Sequence, residues 1–76
     1  MTVLHEHDLV ALTVDLLKDK LHAGDVGTIV HVHKGGVAYM VEFMTLAGVT
    51  IAVVELEASR LRPIDDHDMN HVRRVA

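Results

Sequence analysis

Gly24-Asp25-Val26-Gly27-Thr28-Ile29-Val30-His31-Val32 is the stretch that decides the fold: a glycine turn running into a β-branched strand. Glycine tolerates positive φ and aspartate favours turns, so Ala23-Gly24-Asp25 breaks the chain just before the strand. The valines, isoleucine and threonine that follow suit a pleated, half-buried surface, and the strand is expected over Val26–His33. Gly35-Gly36 comes next, and paired glycines between two β-rich runs signal a hairpin whose return strand is Val37–Met44. A turn on those glycines pairs Val30 with Val41, Val32 with Tyr39 and Thr28 with Phe43 on the core side. Ile29 with Glu42, His31 with Met40 and His33 with Ala38 then occupy the other side. A slip of one residue would exchange the two sets.

Upstream, Met1 to His7 is a lead-in without a clear period. Leu9–Val14 is a first β-rich run, with Val10 and Leu12 inward and Leu9 and Ala11 outward. Asp15–Leu21 lacks a capping box and is expected to be a loop that tucks Leu17 and Leu21 under the sheet. Downstream, Thr45-Leu46-Ala47-Gly48 turns into Val49–Leu56. Alternation there places Ala52, Val54 and Leu56 inside, and Ile51, Val53 and Glu55 outside. Glu57-Ala58-Ser59 suggests a 3₁₀ turn, and Leu61-Arg62-Pro63-Ile64 a last edge strand, where proline is tolerated. After Ile64 the chain becomes polar, with Met69, Val72 and Val75 near helical spacing. The expected organisation is a lead-in over 1–7, a small β-barrel over 8–64 and a flexible or partly helical tail over 65–76.

Composition narrows the class of function. Seventy-six residues make one small domain, near the lower limit for a self-sufficient core. No cysteine is present to form a disulfide or a thiolate metal site. A formal charge of −4, with 7 Lys and Arg against 11 Asp and Glu, argues against phosphate-backbone binding, and one Tyr and one Phe offer little stacking surface. The N-terminus lacks a signal-peptide pattern and no apolar run reaches spanning length, so a cytoplasmic protein without membrane attachment is expected.

The Gly24-x-x-Gly27 turn before a Val-rich strand resembles SH3-like small barrels, including the KOW-type motif. More specifically, Asp8-Leu-Val-Ala-Leu-Thr, Leu21-x-x-Gly-Asp-Val-Gly-Thr, Ala38-Tyr-x-Val-Glu-Phe, Thr50-Ile-Ala-Val-Val and Leu61-Arg-Pro resemble the DUF4926 family of short bacterial proteins. The resemblance spans residues 8 to 64 and implies an all-β, five-stranded SH3-like barrel. It carries no activity onto particular residues.

Several residue sets invite chemistry. His5-x-His7 and His31-x-His33 place imidazoles on one face of an extended chain, and His67 with His71 would do so on a helix, with Asp66 or Asp68 adding a carboxylate. No convergent set of three or four ligands is evident, so neither a metal site nor a cofactor is expected. Catalysis is not expected either: there is no cysteine, no Gly-x-Ser-x-Gly elbow, and the only serine, Ser59, lies in the 3₁₀ turn. Gly24-x-x-Gly27 lacks the Gly-Lys-Ser/Thr ending and following helix of a phosphate loop. Arg60, Arg62, Arg73 and Arg74 with Lys34 would form a basic end, diluted by Glu57 and Asp65.

What stands out is an apolar outer face. Ile29, His31, Met40, Ile51 and Val53 are expected to form a surface that binds another protein or a second copy of the chain. The favoured role is a non-enzymatic interaction module, antitoxin-like or accessory to a partner. A KOW-like RNA or ribonucleoprotein binder is the alternative, and a histidine-based metal-responsive protein a second one.

Overall fold

The computed structural model describes residues 4–75; Met1 to Val3 of the expected lead-in and Ala76 of the tail lie outside the described residues. Five strands form one antiparallel sheet in the order β4-β3-β2-β1-β5. They are β1 (Leu9–Leu12), β2 (Val26–His33), β3 (Ala38–Met44), β4 (Thr50–Leu56) and β5 (Leu61–Pro63). One-turn 3₁₀ segments at Leu17–Asp19 and Ala58–Arg60 complete the regular structure. No helix among the described residues is long and apolar enough to cross a membrane.

The sheet coils around a single core. Leu56 of one edge strand and Leu61 of the other belong to the same apolar cluster as Val10, Ile29, Val41 and Phe43. That is possible only if the edges curl toward each other. β4 and β5 nevertheless share no ladder, so the barrel is open along that seam. The architecture is all-β and compatible with the SH3-like barrel that the resemblance implies.

The β2–β3 hairpin departs from simple alternation. His31 pairs with Met40, Val32 with Tyr39 and His33 with Ala38, the register expected from the double glycine. Beyond them Ile29 pairs with Val41, Thr28 with Glu42 and Gly27 with Phe43, and Val30 is the unpaired residue of a β-bulge. A cause lies at Gly27. A Cβ there would stand 2.6 Å from Val41 Cγ1 and 2.9 Å from Phe43 ring carbons, so the Phe43 ring packs where only a glycine fits. The turn sets one register, Gly27 under Phe43 sets the other, and Val30 absorbs the difference.

The bulge corrects the expected faces. Ile29 is 0% exposed and belongs to the core, while Val30 is 42% exposed. Thr28 is half-buried beside Glu42 rather than inside beside Phe43. Val41, Tyr39 and Phe43 are buried as expected, and Val32 packs against the core. The connection itself is wider than two glycines. Lys34, Gly35 and Gly36 all take positive φ, and the N–H groups of Gly36 and Val37 both donate to the His33 carbonyl, so β3 begins at Ala38.

Two smaller expectations also change. Leu21 is buried, but Leu17 sits on its 3₁₀ turn 70% exposed. Leu16 and Leu21 bridge across that turn, so the loop closes on itself, with Leu21 buried in the core and Leu16 packed against it. Ala11, expected outside, is buried between Val26 and Arg62 of the flanking strands.

The tail is not helical over 65–75. Arg62 donates to both carboxylate oxygens of Asp68, at 2.9 and 3.2 Å, and the Asp65 N–H donates to the same side chain. Farther on, Arg73 Nε donates to Asp25 at 2.8 Å, and Nη2 donates to both Asp25 and the Lys20 carbonyl. The tail is thereby pinned to the turn that launches β2.

Partial burial pushes the Asp25 carboxyl up, but hydrogen bonds from Arg73 and the His22 N–H outweigh it and hold the group below the usual carboxylate range. A carboxyl lowered on folding adds stability above its unfolded pKa of about 3.9, and loses it as pH falls through the folded value. Arg73→Ala is therefore expected to lower stability at pH 7 by the modest amount that a solvent-screened ion pair supplies. The difference from the unmutated chain should close in acid, once Asp25 is protonated in both. Urea unfolding at the two pH values checks this, and an equal deficit at both contradicts it.

Candidate docking surface

The outer face is built by β2, β3 and β4. Strand pairing sets His31, Met40 and Glu55 in one row and Thr28, Glu42 and Val53 in the next. Val53 is 51% exposed, and Met40, half-buried, is its diagonal neighbour. Thr50 Oγ1 donates to Glu42 at 2.6 Å and fixes the carboxylate at the far end of the patch. His31, Met40 and Val53 thus come together on this face.

Ile29 does not join them. It faces the core, because the bulge at Val30 reverses the alternation there. Ile51 is a second correction. The β3–β4 register steps from Phe43–Ala52 to Met44–Thr50, leaving Ile51 as the extra residue, and this bulge turns it to pack against the core, half-buried. In their place the structure exposes Val30, Met44, Val49 and Leu46. Val49 and Leu46 were legible as turn-flanking apolar residues, whereas Val30 required knowing where the bulge falls.

The histidines of β2 make a polar border. The His31 and His33 rings meet edge to face with centroids 4.5 Å apart. His31 Nδ1 lies 3.8 Å from Glu6 and His33 Nε2 3.9 Å from Glu55, beyond hydrogen-bond reach and attractive only when the imidazoles are protonated. His33 Nε2 is shielded from solvent without a hydrogen-bond partner. For metal binding, the only group of three ligand-type residues lying close together among the described residues is Asp65, Asp66 and His67, all exposed. His71 is not part of it, since the helix that would align it with His67 does not form.

The face ends at an open edge. β4 is an outer strand of the sheet, and among the described residues none of its backbone groups bonds to anything beyond its ladder with β3. An edge strand in this state presents alternating N–H and C=O groups to whatever lies beside it. Docking there would join main-chain hydrogen bonds to apolar contact through Val53.

No curated protein and no solved structure matches the chain at a significant level. Residues 6–63 match the family model described as a domain of unknown function, DUF4926. That span contains all five strands and both 3₁₀ turns, and on its strength the chain belongs to the DUF4926 family.

Proposed function

We propose that this protein is a small, non-enzymatic protein-interaction module that escorts or neutralises a partner, as an accessory subunit or antitoxin does. One observation carries the reading: the β4 edge is unpaired and lies beside the exposed Val53 and the half-buried Met40 of the outer face. A surface that combines free backbone groups with apolar side chains fits an extended segment of another chain. Charge favours a protein over a nucleic acid. Two arginines of the expected basic end are already neutralised, Arg62 by Asp68 and Arg73 by Asp25, and the chain is acidic overall.

Photo-crosslinking in cells tests the reading. With benzoylphenylalanine at Val53 or Met40 a discrete crosslinked protein band is expected, and none with the probe at exposed Leu17 on the far 3₁₀ turn. Crosslinking from Leu17 alone, or from no position, would overturn it.

A further inference from the structure

We infer that the β4 edge is occupied by a second copy of this chain, paired antiparallel about Val53 so that two sheets continue as one. This rests on the interaction-module reading and names its partner. The contrast between the two edges is the starting point. β5 is three residues long and ends in Pro63, which has no N–H, and its Arg62 is tied to Asp68. β4 is seven residues, Thr-Ile-Ala-Val-Val-Glu-Leu, without proline or lysine and with Glu55 as its only charge. Short length and proline are devices that protect a sheet edge, and β4 has neither; its one interruption, the bulge at Ile51, leaves Ala52–Leu56 as regular strand.

Self-pairing also satisfies the side chains. About Val53, the Ala52 of each copy faces Val54 of the other; both point to the core side, so the two apolar interiors adjoin. Val53 meets its own copy on the outer face. The two Glu55 side chains then lie four positions apart along the ladder, roughly 13 Å. That exceeds the screening length of about 8 Å at physiological salt. A pairing centred on Val54 would halve that separation and set Val53 against Glu55. One centred on Ala52 would bring the bulge at Ile51 next to the axis, whereas the Val53 register meets it two residues out, where Ile51 of each copy faces Glu55 of the other. Charge and strand shape select the Val53 register.

Sedimentation of the purified full chain from micromolar to millimolar concentration, with Val53→Lys and Val53→Glu, tests this. Val53 is outward-facing, so both variants are expected to keep the parent melting transition. The unmutated chain is expected to dimerise with concentration. Each variant alone should dissociate about tenfold more readily, because like charges meet across the axis. An equimolar mixture of the two should recover the dimer. Monomer at every concentration overturns the inference, and so does a dimer indifferent to both variants. Tighter association of Val53→Lys, which is the result for the Val54-centred pairing, overturns it as well. A monomer that still crosslinks to another protein through Val53 would leave the interaction-module reading standing while removing the second copy. A monomer without crosslinks would remove both.

Discussion

Gly27→Ala is expected to lower folding stability by about 3 kcal/mol, at the upper end of what an added methyl in a packed interior produces. The new Cβ would stand 2.6 Å from Val41 Cγ1 and 2.9 Å from the Phe43 ring, and both neighbours are themselves buried. Neither can swing aside toward solvent. For a domain of this size, 1 kcal/mol moves the melting temperature by about 4–8 °C, so a fall of roughly 12–24 °C should be seen by circular dichroism. Shortening the obstructing side chain supplies the control. Val41→Ala destabilises by itself, yet the double variant should be less damaged than the two losses added, by about 1 kcal/mol. Simple additivity would mean that Val41 does not crowd Gly27, and an unshifted melt for Gly27→Ala that neither Val41 nor Phe43 does.

The second large effect separates two neighbours. Ile29→Ala is expected to cost about 2–5 kcal/mol, from lost transfer free energy and the cavity left beside Val41. Val30→Ala, one position along, should stay within about 0.5 kcal/mol, because its side chain faces solvent at the bulge. Regular alternation without a bulge predicts the reverse ranking. Urea midpoints for the two variants decide between them.

These two sites also mark how far the fold was legible in the residues. The β2 boundaries, the hairpin, its register at His31–His33 and the inward set Ala52, Val54 and Leu56 follow from turn chemistry and alternation. The error enters at Val30. Alternation counts residues but does not see the Phe43 ring, whose fit against Gly27 is a long-range steric fact that shifts the register by one. Ile51 fails for the same kind of reason, at the second bulge. Of the expected surface, His31 and Met40 remain together because they lie on the turn side of the Val30 bulge, and Val53 stays diagonal to Met40 because the β3–β4 ladder is regular from Ala52 to Leu56. The β4 edge was not legible, since neighbour relations across a sheet depend on how the ends of the chain meet. Arg73 on Asp25 was hidden likewise: a polar tail carries no periodic signal for a contact made far back in the chain.

Amide hydrogen exchange along β4 bears most directly on the account. In dilute solution, protection should alternate along Thr50–Leu56, slow where an amide bonds β3 and fast where it faces the open side. On concentrating the protein the fast amides should slow while those of β3 stay as they were. Uniform protection of β4 in the dilute sample, or alternation that concentration leaves untouched, would contradict an edge held open for a second chain.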